Sequence, residues 1–532
     1  MRRSLGLLLG AVLAAALGAA CAAPERSSWF ADTGRDAGDE SPPALDVPRP
    51  RVSGSDAPGF DETGRLVLSV EHAVVLALRH NPDLQVELFG PVVAGTFERI
   101  ERGVFDAEVF AELELMREQA IESSRSTGDQ FGVEARDFAG SAGVRQRFPS
   151  GTAVEATVEQ ERSASNRAPE QQRARFGLTV TQALLRGFGP AVNLASVRQA
   201  ELGTQASRQV LRAFAEALVA EAKVAFWSYV LAEREIRIFE RSLQVAERQR
   251  SDVEERIEVG TLAATEAAAA RAEVALRQQE LIDARSLLEA RRLTLARILD
   301  PRGEGSLDFE IEAIVAPDAP PDPIDATEVE DRVALALRSR PDLAEARVRL
   351  EQNRLETVLT RDGRLPRLDA FLALGKSGYH DTFTRSFGEL VGEDSYDAAI
   401  GLRLSHVLGN RAAEARHEAA WATRRQAEEA VSALERRIRL DVRLALNEVE
   451  RARLQIAASA ATRALRDAAL EAEEERFSVG DGTALLVAQA QRDQLASRIA
   501  EAEAVIRYRI AVVDLYRAEG TLLDRHGVTL GE

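Results

Sequence analysis

Arg256-Ile257-Glu258-Val259-Gly260 and Arg476-Phe477-Ser478-Val479-Gly480 are one short phrase written twice, and each stands midway along a stretch that contains no helix breaker. No proline occurs between Pro190 and Pro301, where the only glycines are Gly203 and Gly260. None occurs after Pro366, and between Gly409 and Gly520 the only glycines are Gly480 and Gly482. Long helices turn at glycine because it takes the left-handed conformation without a Cβ penalty. The two phrases therefore mark the bends of two long helical hairpins, and the fold is an internal duplication.

The duplication extends outward from the bends. Val74-Val75-Leu76-Ala77-Leu78-Arg79-His80-Asn81-Pro82-Asp83-Leu84 is matched by Val333-Ala334-Leu335-Ala336-Leu337-Arg338-Ser339-Arg340-Pro341-Asp342-Leu343. After Gly103 the period becomes two: Phe105, Ala107, Val109, Ala111, Leu113 and Leu115 alternate with Asp106, Glu108, Glu112 and Glu114, only Phe110 breaking the polar side, as a strand with one apolar face requires. The same alternation returns around Val144 and Phe148, around Val154 to Val158, and around Phe176 to Val180. In the second repeat it occurs at Leu368 to Leu374 and at Tyr396 to Leu404. The stretches Gln119 to Gln130, Ser163 to Gln172 and Lys376 to Asp394 read as loops. A helix from about Val192 to Arg256 spans on the order of 100 Å at 1.5 Å per residue. Heptad spacing places Ile236, Phe239, Leu243, Ala246, Val253 and Ile257 on its seam, with Arg250 among them; Leu454, Ala458, Ala461, Leu465 and Ala468 repeat that spacing in the second hairpin.

Alternating strands are open to two readings, a soluble sheet packed on one face or a portion of a water-filled transmembrane barrel. Export tilts the choice. Arg2 and Arg3 precede an apolar run from Leu5 to Ala20, the layout of an export signal and too short for a membrane span. Four to six strands are fewer than the smallest closed membrane barrel uses, and lipid forbids an open edge, so several chains must share one barrel. The single cysteine, Cys21, follows the apolar run as a lipid-attachment residue does, although Gly18 departs from the lipobox pattern. Ordinary cleavage within Ala20-Cys21-Ala22 is the alternative. The Pro-, Ser- and Asp-rich residues after Cys21 read as a tether. At 532 residues the chain is 45% hydrophobic, 29% charged and carries a formal net charge of -18. That acidity excludes a nucleic-acid partner. Six scattered histidines, no nucleophile elbow and no phosphate loop leave no catalytic residue, no metal site and no cofactor.

Taken together, the paired Pro-Asp-Leu segments, Thr181-Gln182-Ala183-Leu184-Leu185-Arg186-Gly187, Leu408-Gly409-Asn410-Arg411-Ala412, the two tips and Tyr516-Arg517-Ala518-Glu519-Gly520-Thr521-Leu522-Leu523 resemble the TolC-like outer-membrane efflux family. The resemblance covers residue 68 to the end. It implies a mainly α chain with a β-barrel portion, forming a homotrimer whose transmembrane β-barrel continues into a periplasmic α-helical barrel. It also implies a passive duct for efflux or type I secretion, docking to a periplasmic adaptor and an inner-membrane transporter. The alternative is a periplasmic coiled-coil scaffold or tether without a pore. The expected organisation is a signal peptide (1–20), a lipidated tether (21–66), a first repeat (67–325, strands 104–184, hairpin 190–300) and a second repeat (326–532, strands 366–406, hairpin 410–520). Arg256, Val259, Gly260, Thr261, Leu262, Arg476, Val479, Gly480 and Asp481 are the expected docking tips. The resemblance further implies a pore constriction near the tips, at Glu266 and at Leu486 and Gln489, where the family's acidic residues are replaced. The interval from Pro82 to Gln182 exceeds that from Pro341 to His406 by about one strand pair around Pro149-Ser150-Gly151, which either widens the barrel or lines or plugs it.

Overall fold

The computed structural model describes residues 45, 47–52, 60–61, 64–123, 126–166, 169–302, 305–315, 329–392 and 394–531. The expected signal peptide and Cys21 lie outside them. A unit of residues 1–46 separates from one of residues 47–532, and all that follows concerns the second.

Short strands β1 (Arg51–Val52) and β2 (Leu66–Leu68) lead into helices α1 (Val70–His80), α2 (Pro82–Glu87) and α3 (Phe89–Gly103). Ser69 caps α1 by accepting from the His72 N–H, and Asn81 caps α2 by accepting from Leu84. Four long strands follow: β3 (Glu108–Ser123), β4 (Gln130–Arg147), β5 (Thr152–Ser165) and β6 (Gln171–Ala183). The chain then enters a short helix α4 (Pro190–Asn193) and the first hairpin, α5 (Ala195–Glu258) and α6 (Glu266–Leu299). After β7 (Ile311–Ala313), the second repeat runs through α7 (Val329–Ser339), α8 (Pro341–Asp362), β8 (Arg367–His380), α9 (Phe383–Gly392) and β9 (Asp397–Ser405). It ends in the second hairpin, α10 (Arg411–Ser478) and α11 (Ala484–Glu519), then α12 (Leu522–Arg525) and β10 (Val528–Thr529).

Strands β3-β4-β5-β6-β8-β9 form one antiparallel sheet in that order, so both repeats contribute to a single layer. Three expected loops are shorter than their polar composition implied. β3 continues to Ser123, β5 to Ser165 and β8 to His380, because their outer ends alternate polar residues on both faces yet still complete the ladder. The stretch after His380 contains α9, whose Phe383 and Phe387 rings lie 5.2 Å apart.

The hydrophobic centre lies where the repeats join the hairpins. One cluster gathers Leu66 and Leu68, the apolar face of α1, Phe226 and Val230 of α5, Leu295 to Leu299 of α6, and Leu522 and Leu523. A second gathers Val333, Leu343, Val442, Val449, Tyr508 and Leu515. Leu84 and Leu343, equivalent in the duplicated Pro-Asp-Leu segments, are both buried, one in each cluster. The expected tether is corrected at its end: Val47, Val52 and Phe60 pack against the first cluster, and Arg51–Val52 pairs with Val528–Thr529. Glu216, buried on α5, accepts the Leu522 and Leu523 N–H groups at 3.0 and 3.2 Å and so fixes the C-terminal segment; burial pushes its carboxyl up.

Helix α10 carries two heptad seams. Val442, Val449, Ala452, Ser459, Leu470 and Phe477 are buried within the chain. The stripe read from the sequence, Leu454, Ala458, Ala461, Leu465 and Ala468, is the other one, and it is exposed: Leu454 at 57% and Leu465 at 72%. Both seams have the same period, so periodicity could not say which faces the partner helix within the hairpin. They differ by two positions, about 200° around a helix, and so lie on nearly opposite sides.

Candidate functional site at the paired helix tips

Both bends close by the same backbone geometry. Gly260 N–H donates to Ile257 O and Thr261 N–H to Arg256 O, at 3.0 and 2.9 Å; Gly480 N–H donates to Phe477 O and Asp481 N–H to Arg476 O, at 3.2 and 2.9 Å. This 5→2 and 6→1 pair is a Schellman closure, which needs a left-handed residue after the C-cap. Gly260 and Gly480 supply it with φ of +79° and +87°. Val259 and Val479, just before the glycines, are 67% and 78% exposed, and Thr261 and Asp481 are exposed beside them.

The two arginines of the repeated phrase behave differently. Arg256 reaches across to the second hairpin, where its Nη1 donates to Phe477 O at 3.2 Å and its guanidinium lies 5.1 Å from the Phe477 ring centre. Arg476 stays local, pairing with Glu473 at 3.1 Å and more loosely with Asp481 at 3.7 Å. Leu262, one of the expected docking residues, packs with Ile257 against a small core of Val253, Ala270, Leu470, Phe477, Ala484 and Val487.

Glu266 is likewise engaged. Its Oε2 accepts from the Ala484 N–H at 3.2 Å, so a carboxylate from the first hairpin caps the first residue of α11 in the second. Thr483, the N-cap of α11, accepts from Leu486 N–H. Leu486 and Gln489 lie on the exposed side of α11, away from buried Ala484, Val487 and Ala488. The expected constriction set is thus divided within one chain: Glu266 sits in the contact between hairpins, and the other two face away from it. Phe477 and Ala484, which complete the contact, escaped sequence reasoning. The one local signal was the phenylalanine standing where the first phrase has Ile257. Among the described residues, no group of three or more His, Cys, Asp or Glu is placed to hold a metal ion.

Residues 333–521 match the family model described as outer membrane efflux protein. The whole fold is similar to solved structures of outer-membrane channels. OprN aligns with TM-score 0.62 and 17% identity over 87% of this chain and 91% of that one. CmeC of Campylobacter jejuni aligns with 0.61 and 16% over 85% of each. VceC of Vibrio cholerae aligns with 0.62 and 16% over 85% of this chain and 96% of that one. Residues 333–521 thus carry the pattern of the outer membrane efflux protein family, and the chain as a whole has the fold of these outer-membrane channels. No curated protein matches its sequence.

The segment matched by the family model takes in the second tip and the whole of α11. Among the described residues no helix is long and apolar enough to cross a membrane. The six-stranded sheet is the element with a lipid-compatible face. In register across the sheet, Val109, Val144, Ala156, Leu178, Leu374 and Ala398 share one side. The other side carries charge: Glu108 pairs with Arg145 at 2.6 Å, and Arg175 with Asp397 at 2.7 Å.

Proposed function

We propose that this protein is the outer-membrane channel of a tripartite efflux or type I secretion system. In this reading three copies build one barrel in the membrane and one helical duct across the periplasm. The observation that carries it is the second seam of α10. Leu454 and Leu465 stand exposed at heptad spacing on the side opposite the hairpin contact, so the helix is built for neighbours on both sides. A wall of such helices closes only when several copies meet. The six-stranded sheet supports the same assembly, since its edges require pairing in lipid.

In this reading the exposed Val259, Thr261, Val479 and Asp481 face an adaptor and an inner-membrane transporter, which select the cargo. Cys21 carries a lipid that anchors the chain to the outer membrane. Purified protein in planar bilayers should give discrete conductance steps, and native mass spectrometry in mild detergent should give a trimer. A folded monomer without conductance would instead favour a scaffold that has no pore.

A further inference from the structure

The apolar face of the sheet is not a rectangle. On β9 it covers Ala398, Ile400, Leu402 and Leu404; on β3 it covers Val109, Ala111, Leu113 and Leu115. The row that starts at Val109 ends at Ala398. Val109 is the helix-side limit of the belt on β3, whereas Ala398 is its loop-side limit on β9. The intermediate strands carry the belt between these extremes, through Ala142 and Val144, Val154 to Val158, Phe176 to Val180, and Leu368 to Leu374. The belt therefore climbs by about six residues, roughly 20 Å, over five inter-strand steps of roughly 4.8 Å each. That slope is about 40°, the tilt at which strands of a membrane barrel cross the bilayer. A horizontal lipid belt crosses all six strands only if all six stand in the barrel wall at that tilt.

The edges of the sheet suit each other. Six is an even number, so β3 and β9 run in opposite directions, and β9 of one copy meets β3 of the next as an antiparallel pair. Extending the belt at the same slope sets Leu402 beside Ala111 or Leu113 of that copy. On the charged face this brings Arg403 alongside Glu112. Among the described residues Glu112, Glu114 and Glu118 make no ion pair, and Arg403 rests over the Phe371 ring at 5.6 Å. On the loop side of the belt, α9 covers the apolar face of β8: a Cβ at Gly378 would collide with Ser386 O.

We infer that each subunit contributes six strands to the barrel wall, with the β3–β4 hairpin as part of it, and that the subunits join at β9–β3 seams. With the threefold assembly proposed above, on which this inference rests, the barrel has 18 strands. At a 40° tilt its backbone-to-backbone diameter is about 36 Å, in the range where barrels enclose an aqueous channel.

Cysteine pairs decide the seam, because a disulfide forms only where Cα atoms approach within about 7 Å. Full-length protein carrying Leu402→Cys with Ala111→Cys, or Leu402→Cys with Leu113→Cys, is treated with a mild oxidant in outer membranes, with each single variant as control. The expected result is a covalent trimer from one of these pairs and none from Leu402→Cys with Ala156→Cys. A trimer from the Ala156 pair alone would place the seam at β5 and remove β3–β4 from the wall, overturning the 18-strand barrel while leaving the duct in place. No cross-link from any pair, with a monomer by native mass spectrometry, would overturn the barrel and the duct reading together.

Discussion

Glu266 Oε2 accepts a hydrogen bond from the Ala484 N–H at 3.2 Å, joining the start of one hairpin's returning helix to the start of the other's. Arg256 and Phe477 make a second bridge on the same contact. The two tips of one chain are thus held as a unit by groups that sequence alone would assign to separate loops.

The Glu266 bond separates two roles for this side chain. As a cap it needs an acceptor, which glutamine retains; as part of a charged ring it needs the charge. Glu266→Gln is expected to leave single-channel behaviour close to wild type, and Glu266→Ala to loosen the tips by the roughly 0.5–2 kcal/mol that a lost cap costs. Raised hydrogen exchange at residues 484–487 in the alanine variant alone is the confirming result. A loss of cation selectivity in Glu266→Gln would restore the ring.

At Gly260 and Gly480 no atom lies within 4 Å of where a Cβ would stand, so added bulk meets open space and the cost of substitution is conformational. Alanine at either position is expected to cost about 1–2 kcal/mol and to preserve export. Proline is incompatible with the positive φ and removes the N–H that donates to Ile257 O or Phe477 O. Gly260→Pro and Gly480→Pro should abolish export in cells while trimers still assemble; unimpaired export would remove the tips from the mechanism.

His526 lies 3.1 Å from Lys223 Nζ, and burial, then the Lys223 charge, pull its pKa down from 6.5 to about 4. Its folded form binds its proton less readily than the unfolded form. Its contribution to stability is therefore full above 6.5 and is lost as the pH falls toward about 4. Hydrogen exchange of residues 521–530 should accelerate more between about pH 7 and about pH 5 in wild type than in His526→Gln, after correction for intrinsic rates. Equal acceleration would exclude His526 as the cause.

Cys21 follows an apolar run that opens on two arginines, and it is the only cysteine in the chain. A fatty-acid probe fed to cells is expected to label the wild type and to leave Cys21→Ala unlabelled. Equal labelling of both would discard the anchor.

What the sequence disclosed was whatever has a local period. Glycines at the bends, alternating strand residues and the duplicated Pro-Asp-Leu segments all announce their elements. The contact between tips has no such signature, because the Glu266 to Ala484 bond joins positions whose separation is set by two long helices and a sheet. Helix α9 was hidden for a different reason: its apolar residues, Phe383, Phe387, Leu390 and Val391, are few and stand in a polar stretch that looks like loop. On α10 the period was legible and the partner was not, since Leu454 and Ala452 belong to parallel seams of equal spacing.

Those parallel seams also fix a curvature. At 3.5 residues per turn an offset of two positions is about 206°, so successive neighbours of the helix deviate from a straight line by about 26°. A row of helices bending by that angle at each step returns on itself after roughly 14 members, close to the dozen that three copies of four long helices would supply. In the proposed three-copy assembly, the bore of the duct is in this sense written into the spacing between Ala452 and Leu454. Moving one stripe by a single residue would turn it by about 103°, and a row of helices bent that sharply at each step would close too tightly to conduct.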